Sequence, residues 1–242
     1  MIREKWRYAV VLVCLLLQSA VFSLINAQEP QVIQPGKNGK APSDAIILFD
    51  KGTLNNFVSV NTQGPAEWKV GGNLFTVVPK KGDIQTKQSF GSCQLHIEWR
   101  SPIKDVKEKK EGQTCGNSGV FLMGKYEVQV LNSYKSSTYT DGQAGAIYGK
   151  YPPLVNASLK PGEWQVYDIV FIAPKYTSNG TLQAAGYLTV FHNGVLIQNH
   201  VEIGEATVVN NEGTPIDAAK LPLSLQDHDS EVSYRNIWIR EL

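Results

Sequence analysis

The stretch YLTVFHNGVLIQNH, residues 187–200, decides the fold class. Two runs rich in apolar, β-branched and aromatic side chains flank Asn193-Gly194, the dipeptide that supplies positive φ at both centres of a type I′ turn. A turn of that hand follows the twist of the strands it joins, so Tyr187–His192 and Val195–His200 form a β-hairpin. Outward from it the same texture recurs at Ile46–Phe49, Asn73–Val78, Cys93–Arg100, Gly119–Met123, Tyr126–Leu131, Gln165–Ile172 and Ser233–Arg240. Turn residues separate these runs and none keeps a helical period. Many short strands with frequent turns predict an all-β sandwich or barrel. Gln143–Leu159 interrupts the texture: it is long, irregular and contains Pro152-Pro153, which forbids regular ladder pairing there.

The ends of the chain set its organisation. Arg3, Lys5 and Arg7 precede an apolar run from Ala9 to Phe22, which closes at Leu24-Ile25-Asn26-Ala27. A positive start, apolar middle and small final residue give the pattern of a secretory signal over residues 1–27, predicting export to the periplasm or the extracellular space. An uncleaved anchor is the alternative. Residues 28–43 are polar with Pro and Gly and read as a linker, leaving 44–242 as one domain. No later stretch is apolar enough to span a bilayer. A net charge of +1 over 242 residues gives no reason to expect nucleic acid as a partner. The Lys-rich stretch 104–112, interleaved with Asp105 and Glu108, reads as a solvated loop. After cleavage Cys93 and Cys115 remain; an exported protein can bridge them, and two buried thiols fit equally.

Strand alternation then sorts side chains by face. In Cys93–Arg100, Leu95, Ile97 and Trp99 share one face while His96, Glu98 and Arg100 share the other. In Tyr126–Leu131, Glu127 and Gln129 oppose Tyr126, Val128 and Val130. Leu223 and Leu225 alternate with Ser224, Gln226 and His228. Polar faces of Glu, Gln, His and Arg with little Lys fit a ligand-binding concave face better than ordinary solvated sheet.

Five segments, in order, carry a resemblance: NSGVFLMGKYEVQVLNS (117–133), AGAIYGKYPP (144–153), KPGEWQVYDIVF (160–171), HNGV (192–195) and LSLQDHDSEVSYRNIWIREL (223–242). Together they resemble the 3-keto-disaccharide hydrolase family. That resemblance implies a concanavalin A-like jelly-roll β-sandwich of two antiparallel sheets, and an exported enzyme cleaving 3-keto-glycosides. Two departures stand out: Phe57 where the family usually has Trp, and Gln165 where Asn is common. Glucanases of the same broad fold carry an E-x-D-x-x-E strand. The comparable positions here are Glu127, Gln129 and Asn132, so one carboxylate is joined by two amides.

Ordinary glycoside hydrolysis needs two carboxyl groups at a defined separation. A 3-keto sugar relaxes that need, because the carbonyl acidifies the C2 proton and one base can start elimination of the C1 substituent. Water adding to the unsaturated product gives net hydrolysis. On this reading Glu127 and His228 are base or acid, with Arg100 or Arg235 steadying the oxyanion. Glu98, Asn117, Gln129 and Gln226 hydrogen-bond sugar hydroxyls, and Tyr148 or Trp164 flanks the ring. Each has a structural rival: Arg100 and Glu127 as a cross-strand ion pair, Arg235 as a buried charge beside Ile237 and Ile239, His228 as a cap. Glu98, Glu127 and His228 could also ligate a divalent metal, although no tight ligand spacing indicates one. The alternative class is a non-catalytic carbohydrate-binding module, which would keep ligand affinity without Glu127. An adhesion protein recognising a protein partner is a third.

Overall fold

His192 pairs with Val195 across Asn193 (φ 52°) and Gly194 (φ 79°), so the hairpin forms with both turn residues left-handed. Asn193 is more than a turn residue. Its side chain donates to the Ala157 carbonyl at 2.9 Å and accepts from the Val166 amide at 2.9 Å, tying the hairpin to the next strand. A computed structural model of the protein describes residues 29–37, 40–204, 207 and 218–242; the predicted signal segment lies outside them. Strands β1 (Ile46–Phe49), β2 (Phe57–Ser59), β3 (Lys69–Gly71), β4 (Leu74–Thr76), β5 (Ile84–Phe90) and β6 (Cys93–Arg100) come first. A short helix α1 (Ile103–Lys107) follows, then β7 (Ser118–Leu122), β8 (Tyr126–Val130), β9 (Gln165–Ile172), β10 (Lys175–Tyr176) and β11 (Leu182–Ala184). The chain closes with β12 (Gly186–His192), β13 (Val195–Ile203), β14 (Leu221–Leu225) and β15 (Ser233–Glu241).

Among the described residues these strands make two large antiparallel sheets. The larger runs β13-β12-β9-β6-β15-β4-β3, with β1 also on β15; the smaller runs β2-β5-β14-β7-β8. Strands distant in sequence lie side by side, as in a jelly roll, and the family's sandwich is the fold observed. The described residues from 35 onward form one compact unit. Between the sheets, Leu95, Ile97, Trp99, Tyr167, Ile169 and Phe171 from the larger meet Val120, Leu122, Tyr126, Val128, Leu223 and Leu225 from the smaller, all buried. Each such side chain contributes roughly 1.5–3 kcal/mol by leaving water. Phe49, Phe57, Trp68, Phe75 and Tyr234 close one end of the core, with ring centroids 4.7–6.2 Å apart. Trp68 and Trp99 are therefore core residues.

Two core tyrosines reach across the sandwich. Tyr167 of β9 donates to the Gln129 carbonyl on β8 at 2.8 Å. Tyr234 of β15 meets the Ser118 hydroxyl on β7 at 2.6 Å, and Ser118 in turn donates to the Gln226 carbonyl at 2.6 Å. The larger sheet is thus tied to β8 and β7 directly, and through Ser118 to the backbone just past β14.

One open alternative is decided and one expectation needs correction. Cys93 and Cys115 are free, buried thiols. Cys93 opens β6 in the larger sheet; Cys115 precedes β7 in the smaller one, where its sulfur accepts from the Asn132 amide at 3.2 Å. Burial pushes the Cys93 thiol up to about 12, with Glu241 adding to the effect. The correction concerns β15, where strict alternation would put Arg235 on the face of Ile237 and Ile239. A bulge at Asn236 (φ 45°) shifts the register between Arg235 and Trp238, so Ile237 and Ile239 enter the core while Arg235 stays half-buried beside Glu98.

Candidate functional site

The smaller sheet presents its outer face as a platform whose rows follow from register. Ser118 pairs with Val130, Gly119 with Gln129, Phe121 with Glu127 and Ser224 with Phe121. The Gln226 amide donates to the Gly119 carbonyl at 3.1 Å. One step beyond the Ile84–Leu225 pair, Asp83 comes opposite Gln226. Since Ile84, Leu225, Val120 and Val128 point into the core, Asp83, Gln226, Gly119 and Gln129 form one outward row. Glu127 stands in the next row and leans back over Gly119. A Cβ added at that glycine would lie 2.6 Å from Glu127 Oε1. The Asn-Ser-Gly motif thereby acquires three physical reasons: Gly119 makes room for the carboxyl, Ser118 ties β7 to β14, and Asn117 donates to the Gln113 carbonyl at 2.8 Å.

Glu127 is the chemically exceptional group on this face. It is buried, and its carboxyl has no hydrogen-bond partner among the described residues. Burial, reinforced by the negative charge of Asp83, pushes its pKa up to about 8. Asp83 is itself raised, by burial first and by Asp227 second, against the opposing effects of the Asp227 amide and His228. Reciprocal hydrogen bonds set that corner: Asp227 N–H to Asp83 at 2.8 Å, and Gly82 N–H to Asp227 at 2.9 Å. They hold the turn that carries the exposed His228 against the start of β5.

Amides and phenols complete the surroundings. Gln129 Nε2 donates to Gln113 Oε1 at 3.2 Å, and Gln113 in turn donates to Thr138 and to the Gly142 carbonyl. Gln129 Oε1 is buried with no partner among the described residues, an acceptor left for a ligand hydroxyl. The irregular loop adds itself to the edge of β8. Gln129 N–H reaches the Ala146 carbonyl at 3.0 Å, and Tyr148 N–H the Glu127 carbonyl at 3.2 Å. With Ile147 in the core, Tyr148 is only half-buried, and its hydroxyl meets that of Tyr139 at 2.6 Å.

The structure brings Glu127, Asn117, Gln129, Tyr148, Gln226 and His228 to this face, and it adds Asp83. Sequence reading missed Asp83 because β5, IQTKQSF, is polar along most of its length and lacks the apolar texture of a strand. Glu98, Arg100, Trp164 and Arg235 are corrected: they belong to the outer face of the larger sheet, across the sandwich. There Arg235 binds Glu98 at 2.6 Å, and Arg235 and Arg100 lie 4.0 and 4.6 Å over the Trp164 ring. His96 is held by Asp168 at 2.6 Å and stacks on Trp238 at 5.1 Å. Burial pushes the Glu98 carboxyl up, and the hydrogen bonds from His96, Asn236 and Arg235 outweigh it, leaving a pKa of about 2. The proposed cross-strand pair of Arg100 with Glu127 does not form, nor does the ligand set Glu98, Glu127 and His228. Among the described residues no three His, Cys, Asp or Glu side chains converge as a metal site.

The sequence model of the 3-keto-alpha-glucoside-1,2-lyase-like domain matches residues 44–240. The chain belongs to that family. A solved structure from Parabacteroides distasonis ATCC 8503, provisionally named a glycosyl hydrolase, shares 45% identity with this lyase-like chain. The match covers 91% of this chain and 95% of that one, with a TM-score of 0.83. Two further structures from that organism, named in the same provisional way, share 18% and 21% identity over 82% of this chain and 94% and 99% of theirs. Their TM-scores of 0.59 and 0.55 support the lyase-like fold alone. No curated protein matches the chain. The site therefore belongs to a carbohydrate-active, glycoside-cleaving family.

Proposed function

We propose that the protein cleaves 3-keto-α-glucosides by elimination across C1 and C2, after export. The observation that carries this reading is Glu127: a buried, unpartnered carboxyl with its pKa raised to about 8, set among amides and phenols. A carboxylate already stripped of water by burial is a strong base, suited to a carbon acid such as the C2–H beside a ketone. In an α-glucoside chair, C2–H and the C1 oxygen are both axial and point to opposite faces of the ring. Both bonds therefore lie along the enolate π system, and a stepwise elimination can take its base and its acid from the same platform. Glu127 takes the C2 proton, and the C–H electrons pass to the C3 oxygen as an enolate. Collapse of the enolate forms C1=C2 and breaks the C1–O bond, and the leaving oxygen takes a proton from the Asp83–His228 corner. Gln129, Gln226 and Asn117 orient the ring hydroxyls, and Tyr148 borders the sugar. Hydration of the enone product then gives net hydrolysis. The positively charged, apolar N-terminus of the sequence supports export.

Enone absorbance on mixing the purified protein with a 3-keto-α-glucoside tests the reading. The rate is expected to climb with pH through about 8, as Glu127 ionises, and then level off. A rate that falls across that range would make Glu127 the acid. Binding of such glucosides without any turnover would make the protein a carbohydrate-binding module.

A further inference from the structure

The loop between β6 and β7 frames a second cleft, separate from the Glu127 platform. Its volume is about 710 Å³, and it is walled by residues 106, 109–111, 132, 134–137 and 160–161. Lys109, Lys110, Lys135 and Lys160 line it. Lys110 is neutralised by Asp105 at 2.8 Å, while the other three have no carboxylate partner among the described residues. Among the described residues Glu111 is the one acid in the lining. Lys135 rests over the Tyr134 ring at 5.7 Å. Both Lys109 (φ 58°) and Lys135 (φ 51°) hold left-handed backbone, which costs about 1 kcal/mol or more at a non-glycine residue and persists where the surroundings enforce it.

Asn132 supplies an independent observation. It lines the cleft, is only 7% exposed, and spends its amide N–H on the Cys115 sulfur at 3.2 Å. Its Oδ1 is buried without a partner among the described residues. A buried acceptor left empty costs about 1–3 kcal/mol unless a donor fills it. Lysines cannot be satisfied by a donor, nor Oδ1 by an anion. The occupant that meets both carries an anionic group and a hydroxyl on one compact frame.

We infer that this cleft binds an acidic sugar, a saccharide unit bearing a carboxylate or a sulfate ester. The anionic group meets Lys109, Lys135 and Lys160, a ring hydroxyl donates to Asn132, and Tyr134 borders the ring. Nothing in this rests on the elimination chemistry assigned to Glu127.

Calorimetric titration of the full chain with a uronic-acid disaccharide, a sulfated disaccharide, a neutral disaccharide and inorganic sulfate tests it. At least one acidic disaccharide should bind about tenfold or more tightly than the neutral sugar and the inorganic ion. The tighter of the two acidic sugars names the charged group. The double variant K135A/K160A should lose about tenfold in affinity and become less sensitive to salt. Asn132→Ala should weaken the acidic sugar while leaving any inorganic sulfate binding as it was. Should that variant fail to fold, the two exposed-lysine changes still decide the matter. Glu127→Gln should leave this binding unchanged even if it abolishes turnover. Equal affinity for the neutral sugar, inorganic sulfate binding as tightly as the acidic sugars, no binding at all, or binding lost with Glu127→Gln would each overturn the assignment.

Discussion

Two glutamates on the two outer faces of the sandwich have opposite fates. Glu98 receives hydrogen bonds from Arg235 at 2.6 Å and Asn236 at 2.8 Å, and its pKa falls to about 2. Among the described residues the Glu127 carboxyl receives none, and its pKa rises to about 8. Both sit in mid-strand among polar neighbours, so residue type and alternation do not separate them. Partners do. A carboxylate whose acceptor sites are filled by protein is a structural charge, whereas one left bare by a glycine and surrounded by amides is available to a ligand.

The widest separation between the two faces should appear in turnover. Glu127→Gln is expected to lower kcat/KM by about a thousandfold or more, as loss of a general base does. Glu98→Gln, and likewise Arg100→Ala, should leave it within about threefold, since neither side chain reaches the platform. Equal losses from both glutamates, measured with the same 3-keto-glucoside, would erase the distinction. Next in size is Gly119→Ala. Its methyl would stand 2.6 Å from Glu127 Oε1 and displace the carboxyl, lowering kcat by about a hundredfold. An unchanged kcat would mean that the carboxyl position over Gly119 is not the working one.

Stability sharpens the contrast by sign. Glu127 binds its proton more tightly when folded, so the wild type should lose stability as pH rises from the ordinary glutamate range through about 8. That loss is on the order of 4 kcal/mol, and Glu127→Gln should flatten the profile in urea melts between pH 5 and 9. Glu98 has the reverse sign: its contribution is present above the ordinary range and lost as pH falls toward about 2. Glu98→Gln should therefore cost about 1–2 kcal/mol at neutral pH, allowing for the partial exposure of Arg235, and little in acid. The smallest effect expected is Tyr167→Phe, at about 1 kcal/mol for the lost bond to the Gln129 carbonyl. It should still raise KM, because that bond holds the site strand. An effect on stability with KM unmoved would separate the scaffold from the platform.

The fold was legible because its signals are local. Asn193-Gly194 needs no distant partner to make its turn, and the Leu95, Ile97 and Trp99 pattern reports a core wherever that core lies. The site was legible only in part. Alternation says that His96, Glu98 and Arg100 share a face, but it is silent on which sheet carries β6 and which way that sheet is turned. Alternation alone therefore merges the polar faces of β6 and β8 into one site, although they look outward on opposite sides. At Arg235 the bulge broke the period itself. Asp83 stayed hidden because β5 is recruited to the sheet by its neighbours β2 and β14 rather than by an apolar pattern of its own.

The backbone bonds from residues 145–148 to β8, with the Thr207 hydroxyl accepting from the Glu127 amide at 2.9 Å, have a consequence beyond the site. β8 ends its sheet, and a bare terminal strand of YEVQV would template pairing with another copy of the chain. The loop that delivers Tyr148 is also the guard on that margin. Trimming it to widen the entrance for bulkier glycosides should therefore yield a protein that clumps before it gains any new substrate.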